Sequence, residues 1–367
     1  RDRFTLSMNM AAKVPLSVQR FLKRPFIKWG GIAGVFFFLF GLLPAFTLAP
    51  VSPEWAPAPL RNWAYDVRLL IGRPITTLSS LQSAVAGETA VTLALHETVI
   101  TYESDDLTIT GTLYDAITDE SVRQPAILLL HGSTPQGRKL GVYRMMGREL
   151  AALGYVVLAI DQRGFGQSDN PPDIWDADSF DFVTDAQNGL SYLESLPDVN
   201  TEALFLVGHS FGGDVAVSTA VIDNRIAKLV LIGPGRRYME RGGTPDAPEY
   251  GYFKRRQMRY MFLWQAIPDD VFQTYRMVLP LESHLDYFAR LDHVPVLLVD
   301  GALESEADKD FLQTIFDDMQ GEKVYRTLAN ADHYANVANV GPLIVYDETA
   351  VSQLIHEIDT FLMAESD

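Results

Sequence analysis

The chain has no cysteine. That absence excludes disulfides, thiol nucleophiles and cysteine-ligated zinc together, and it leaves the redox compartment open. No His-Glu-x-x-His pattern occurs either, so the two-histidine helical zinc site is missing. Positive charge is scarce: 30 Lys and Arg stand against 47 Asp and Glu, a formal net charge of −17. The basic residues crowd at the start, where Arg1, Arg3, Lys13, Arg20, Lys23, Arg24 and Lys28 oppose Asp2 alone. That segment carries +6, which leaves −23 for the rest. A body this acidic repels a phosphate backbone, so nucleic acid is not an expected partner. Internal repeats and low-complexity segments are also absent, and an apolar content of 47% is enough for a substantial core.

Charge is missing altogether from Trp29 to Pro53, a run of 25 residues centred on "GVFFFLFGLL". About 20 apolar residues cross a bilayer as a helix, so the length fits a membrane span. Positive residues before it and none just after it place the N-terminus in the cytoplasm. The expected layout is a basic cytoplasmic leader over 1–28, a single-pass transmembrane anchor over 29–49 and an extracytoplasmic remainder. A cleaved signal peptide is the rival, because Thr47-Leu48-Ala49 is a passable cleavage site, although Pro50 follows it. Four prolines between Pro50 and Pro59 preclude a helix at the exit. Leu60, Trp63, Ala64, Val67, Leu70 and Ile71 then fall at helical spacing, giving a Pro-rich linker and short helix over 50–87.

From about Glu88 the pattern changes. "ETVITYES" and "LTITGTLYD" alternate and predict an opening pair of strands. Apolar runs then alternate with helical patterns. "AILLL" leads to a helix over Leu140–Leu153, "VVLAI" to Phe180–Leu196 and "ALFLV" to Asp214–Ile222. "AKLVLI" leads to a long insertion, "VPVLLV" to Lys309–Met319 and "KVYRTL" to Glu348–Met363. Continuous apolar strands alternating with helices predict an α/β fold, a mostly parallel sheet flanked by helices on both faces. In such sheets the reactive groups gather at the carboxyl ends of the strands.

At one such end stands "GHSFGG", residues 208–213. A tight strand-to-helix turn needs glycine at its flanks and pushes the serine between them up over the sheet. A plain turn is the bland reading. A serine nucleophile would need a histidine base and an orienting carboxylate. Of seven histidines, His209 belongs to the elbow, and His131 ends a strand in "LLLHGS". His96, His284 and His293 precede the sheet or lie in the insertion, and His356 is mid-helix. His333, in "NADHYAN", alone falls between the last strand and the last helix. For the carboxylate, "LLVDGALESEAD" offers Asp300 at the strand end and Glu304 in the loop beyond. Glu304 is preferred because the loop lets it reach a histidine, with Asp300 as the alternative acid. The backbone amides of Phe211, at the start of a helix, and Ser133, in "HGSTPQG", are the expected oxyanion donors. The acidic "DIWDADSFD" lacks the glycine and closing glutamate of a calcium loop and reads as a solvated helix start.

Together, "HGS", "DQRGFGQSD", "GHSFGG", "VDGALE" and "NADH" resemble a serine hydrolase of the α/β-hydrolase superfamily, in its order and over residues 88–367. The resemblance implies the α/β-hydrolase fold, the triad Ser210, His333 and Glu304, and no cofactor or metal. It also makes Asp161 and Arg163 scaffold, and makes the insertion over about 236–292 a helical cap above the site. Glutamate replaces the commoner aspartate. Aromatic residues of the insertion, Tyr250, Tyr252, Phe253, Tyr260, Phe262, Trp264, Phe272 and Tyr275 among them, would form the cap's own core and line an apolar pocket. Arg255, Arg256 and Arg259 read as a solvated face.

The resulting expectation is a membrane-anchored serine hydrolase acting on a small-molecule ester or amide, most directly a carboxylic ester. An aminopeptidase on the same fold, with Glu240, Asp246 and Glu249 as candidate amine-binding groups, is the alternative. A non-catalytic binding module is the rival from another class. On the topology, the full chain should stay in the membrane fraction through high salt and alkaline carbonate, because a spanning helix does not depend on charge. A shortened soluble form with its N-terminus near Pro50 would instead show the span to be a signal peptide.

Overall fold

The computed structural model describes residues 95–116, 122–234, 287–340 and 343–364. It also describes Gly251, Lys254, Met258, Met261 and residues 269–276 of the insertion. The expected leader, membrane span and linker lie outside the described residues. Among the described residues, no helix is long and apolar enough to cross a membrane.

The chain opens with β1 (Leu95–Ser104) and β2 (Leu107–Ala116), an antiparallel pair. Asp105 turns between them at φ 52, a left-handed conformation that a short Asp side chain tolerates. The alternating segment continues as β3 (Gln124–Leu130), α1 (Gly141–Ala152), β4 (Val156–Ile160), α2 (Phe182–Glu194) and β5 (Val199–His209). Next come α3 (Phe211–Ile222), β6 (Ile226–Ile232), α4 (Asp269–Arg276) in the insertion, and β7 (Val296–Gly301). The chain closes with α5 (Glu306–Asp318), β8 (Lys323–Leu328), β9 (Ala338–Val340), β10 (Leu343–Val345) and α6 (Glu348–Met363). The main sheet has the order β1-β2-β4-β3-β5-β6-β7-β8. Strand β2 meets β4 antiparallel, and β3 through β8 run parallel.

The central strands β3 to β7 carry long apolar runs because both faces of the sheet are covered there, whereas β1 and β8, at the edges, are mostly exposed or half-buried. Leu128, Leu130, Leu206, Leu229 and Leu298 point to one side, where Phe182 and Leu190 of α2, Val215 of α3 and Ile315 of α5 meet them. Their neighbours Ile127, Leu129, Val207, Val230 and Val299 point to the other, against Met146 of α1 and Leu354 and Ile358 of α6. This is the two-residue period of a strand read on two cores. Each such buried aliphatic stabilises the fold by about 1.5–3 kcal/mol. Six residues of the insertion, Met258, Met261, Val271, Phe272, Phe288 and Leu291, are buried in the first of these cores. Its described part therefore roots in the main domain rather than forming only a core of its own.

Two helices begin earlier than their hydrophobic pattern suggests. Helix α3 starts at Phe211, not Asp214, because the elbow turns within one residue. Helix α5 starts at Glu306, not Lys309, because Ser305 caps it: the Asp308 N–H donates to Ser305 Oγ at 3.2 Å. The "DIWDADSFD" stretch is a short 3₁₀ turn whose last residue, Asp181, caps α2 by accepting from Thr184 N–H at 3.0 Å. The β9–β10 hairpin has no counterpart in the sequence reading, since three-residue strands leave no periodicity to detect. Asn339 at its centre accepts from the Gly141 N–H that opens α1, at 2.8 Å.

Two buried ion pairs pin the loops above the sheet. Arg138 donates through its backbone N–H (2.7 Å) and its guanidinium to Asp161, and through Nε to Thr112 (2.9 Å). Arg163 makes a forked contact with Asp185, at 3.0 and 2.8 Å, and Ser104 also donates to that carboxylate. Asp161 and Arg163 are therefore structural, as the resemblance implies, but their partners Arg138 and Asp185 are not legible in the motif. Removing one partner of such a pair leaves an uncompensated buried charge. Asp185→Ala should accordingly lower the unfolding free energy by about 3–5 kcal/mol, read from the urea midpoint at unchanged slope.

Candidate active site

Strand β5 ends at His209 and α3 begins at Phe211, so Ser210 alone reverses the chain. Its backbone sits at φ 54, ψ −120, a region that costs a non-glycine residue about 1–3 kcal/mol. The surroundings hold it there. Ser210 N–H donates to the Ile232 carbonyl at 2.9 Å, and Gly213 N–H donates back to Ser210 O at 2.9 Å. A Cβ at Gly208 would stand 2.7 Å from Gly213 Cα, and one at Gly212 would stand 2.6 Å from His131 O. Gly208 and Gly212 are thus required by the approach of α3 to β3 and β5. An ordinary tight turn does not force its serine into this conformation.

His333 and Glu304 come from different loops that are sewn together. Leu303 N–H donates to Ala331 O at 2.9 Å, joining the loop after β7 to the loop after β8. Glu304 folds back on its own strand end, with its N–H on Gly301 O at 3.0 Å and the Gly301 N–H on Oε1 at 3.3 Å. This brings Oε2 to 3.2 Å from His333 Nδ1. Burial alone would raise the Glu304 carboxyl. The adjacent His333 ring, its hydrogen bond and the Gly301 amide outweigh burial and hold the carboxyl down at about 2.

Asp300, four residues earlier, behaves in the opposite way. It is buried in β7, its Oδ2 accepts from Tyr325 Oη at 2.8 Å, and burial pushes its carboxyl up. The carboxylate that meets the histidine is Glu304.

Gly233, at the end of β6, is a site residue that the motif reading passes over. Its φ is +49, and a Cβ there would lie 2.8 Å from His333 Cε1 and 3.3 Å from Glu304 Oε1. The imidazole and carboxylate fit only because this position has no side chain. The available signal was a glycine ending a strand, in "LVLIGPG", directly beside the elbow strand.

The other described histidines are engaged elsewhere. His131 is buried with Nδ1 on Gly132 O at 2.7 Å, and burial pushes its pKa down. His96 pairs with Asp115, and His293 contacts the Ala220 carbonyl that nears the end of α3. His356 is exposed on α6. His284, the aminopeptidase candidates Glu240, Asp246 and Glu249, and the arginine cluster lie outside the described residues. Ser133 lies in the loop after β3, and Phe211 opens α3 directly after Ser210. Among the described residues, no group of three or more His, Asp or Glu is placed to hold a metal ion. Chemically, the site offers a half-buried serine at a strained strand end and an imidazole whose Nδ1 is held by a carboxylate.

Residues 122–277 match the family described as serine aminopeptidase, S33. The quorum-quenching protein AidA of Acinetobacter baumannii (strain MDR-ZJ06) is 30% identical over 137 residues, 36% of this chain and 41% of that one. The 2-hydroxy-6-oxononadienedioate/2-hydroxy-6-oxononatrienedioate hydrolase of Paraburkholderia xenovorans (strain LB400) is 27% identical over 179 residues, 45% of this chain and 59% of that one. The chain thus spans about half the length of these curated relatives. Among solved structures, the alpha/beta hydrolase GrgF from Penicillium sp. sh18 superposes with a TM-score of 0.52 at 18% identity, covering 73% of this chain and 98% of that chain. Est1E from Butyrivibrio proteoclasticus, with ferulic acid bound, gives 0.53 at 17%, covering 72% and 100%. At these identities the likeness shows the fold.

The depressed Glu304 carboxyl has a consequence for stability. Its folded value lies below the unfolded one, about 4.3, so its contribution is present above that range and fades as pH falls toward 2. Glu304→Gln should therefore be less stable than the parent at pH 6, with the gap closing as acid is added. A carboxyl ¹³C titration of Glu304 should place its midpoint near 2.

Proposed function

We propose that this chain, a member of the α/β-hydrolase superfamily, is a serine hydrolase that cleaves carboxylic esters through an acyl-enzyme. The observation that carries the proposal is the strained elbow of Ser210, whose chain neighbour His209 has its ring 4.6 Å from that of His333, the histidine that Glu304 meets at 3.2 Å. A serine hydroxyl is a poor nucleophile until a base removes its proton. Glu304 on Nδ1 leaves His333 Nε2 as the acceptor. Ser210 Oγ bonds to the substrate carbonyl carbon while its proton passes to His333. The tetrahedral oxyanion takes hydrogen bonds from the Phe211 and Ser133 amides. His333 then gives its proton to the departing alcohol. Water, deprotonated by the same imidazole, adds to the acyl carbon and releases the acid and Ser210. Each step moves one proton through one imidazole, with no external redox partner.

The insertion between β6 and β7 supports a cap over this site, because Met261 packs directly on Gly164 of the "DQRGFG" loop. We also propose that the domain is tethered outside the cytoplasm by the span at 29–49, on the charge pattern given above. A second reading, aminopeptidase action, is favoured by the family match over 122–277. Amide cleavage demands protonation of a far more basic leaving group, so the same triad serves it only where the substrate amine is well held.

Ser210→Ala should abolish both ester turnover and labelling by a fluorophosphonate probe. Glu304→Gln should slow turnover by up to about 10⁴-fold, and Asp300→Asn far less. Persistent labelling of folded Ser210→Ala would sink the proposal, and the reverse carboxylate ranking would move the acid to Asp300. Comparing p-nitrophenyl esters of graded length with aminoacyl anilides separates the two readings.

A further inference from the structure

Two buried side chains that the proposed chemistry does not use connect the loops that it does. Tyr143 comes from α1 and His209 is the last residue of β5, and both are almost wholly enclosed. The Gly132 N–H donates to Tyr143 Oη at 2.7 Å. Tyr143 Oη lies 2.7 Å from His209 Nδ1, and His209 Nε2 lies 2.7 Å from the backbone carbonyl of His333.

The two ends of this chain fix the direction of every bond in it. An amide can only donate, so Tyr143 Oη accepts at one end and donates its own proton to Nδ1. A carbonyl can only accept, so Nε2 must carry the hydrogen of a neutral imidazole. The result is an unbroken series from Gly132 N–H through Tyr143 and His209 to His333 C=O. We infer that Tyr143 and His209 form a strut that sets the separation between the oxyanion loop and the loop bearing the base, and so act as positioning residues for acyl transfer. This inference rests on the serine-hydrolase reading.

Three further observations fit a strut rather than incidental pairing. Its first end touches the nucleophile: a Cβ on Gly132 would lie 2.9 Å from Ser210 Cβ. Its second end is the backbone of the base itself, so a shift of His209 moves His333 directly. The rings also pack in series, with centroids 5.6 Å apart for Tyr143 and His209 and 4.6 Å for His209 and His333.

Electrostatics suits the part. Burial, reinforced by the neighbouring His333, holds His209 down at about 3. It therefore stays uncharged while His333 carries the proton, and places no second positive charge beside it. The strut ties the loop after β3 and the loop after β8 to the end of β5. A misplacement of about 1 Å in such a site is worth about 100-fold in rate.

Tyr143→Phe tests this with the loss of one oxygen and no loss of ring packing. In the full chain, kcat for a p-nitrophenyl ester should fall about 10- to 100-fold. KM should stay within about twofold, because substrate binding is not what the strut controls. His209→Gln, which keeps both a donor and an acceptor, should retain more kcat than His209→Leu. Separately, ¹⁵N-histidine NMR near pH 7 should show His209 neutral with hydrogen on Nε2.

Wild-type kcat in Tyr143→Phe, or a loss that disappears when rates are corrected for the fraction folded, would overturn the strut. A His209 protonated on Nδ1 would overturn it too. Those failures, with Ser210→Ala inactive, leave the serine-hydrolase reading standing. Turnover that survives in Ser210→Ala would sink that reading and the positioning role with it.

Discussion

The first turn of α3 lies so close to the carbonyls that end β3 that no side chain fits between them. That contact governs the site. With Gly212 against Leu130 and His131, and Gly208 beneath Gly212 and Gly213, the chain must pass from strand to helix within one residue. Ser210 has no alternative to its positive φ, and its side chain is carried above the sheet edge. The strain of about 1–3 kcal/mol is offset many times over by the two apolar layers on either side. The elbow is therefore held by the fold as a whole, and the rest of the site is built around where it puts one hydroxyl.

The same economy of space separates groups of identical chemistry. His131, His209 and His333 lie at or just beyond the carboxyl ends of β3, β5 and β8, and of the three His333 meets the Glu304 carboxylate. Burial pushes the pKa of both His131 and His209 down, and their ring nitrogens serve as fixed hydrogen-bonding points. The two carboxylates divide in the same manner. Asp300 points into β7's own surroundings and is pushed up, whereas Glu304 swings out of the turn at Gly301, meets the imidazole and is pulled down. Environment, not residue type, makes one histidine and one carboxylate a hydrogen-bonded pair.

Loops that carry reactive groups ordinarily move more than the elements they join. Here each is pinned by a buried polar contact: Arg138 to Asp161, Arg163 to Asp185, Asn339 to the start of α1, and Gly132 to Tyr143. Buried charges are weak evidence for stability, since their desolvation offsets much of the attraction. Their value in this domain is geometric. They give loops on top of a parallel sheet one arrangement each, including those that carry His333 and Glu304 near the Ser210 turn.

Much of this was legible in the chain itself. Continuous apolar runs bounded by glycine and polar turns marked six of the parallel or near-parallel strands, and the order of motifs placed Ser210, Glu304 and His333 at their carboxyl ends. Those features are local, because backbone sterics and the strand and helix periods act over a few neighbouring residues. The β9–β10 hairpin was too short to leave a period, and the early starts of α3 and α5 depended on a steric turn and a cap. What the sequence determined alone was the alternation of elements, the need for glycine at the elbow and the set of candidate groups. Only the tertiary structure decided that Glu304 rather than Asp300 meets His333, that Gly233 must lack a side chain, and that Tyr143 and His209 join partners 66 and 124 residues apart. Such pairings arise from how distant strand ends converge in space, and no spacing along the chain records that.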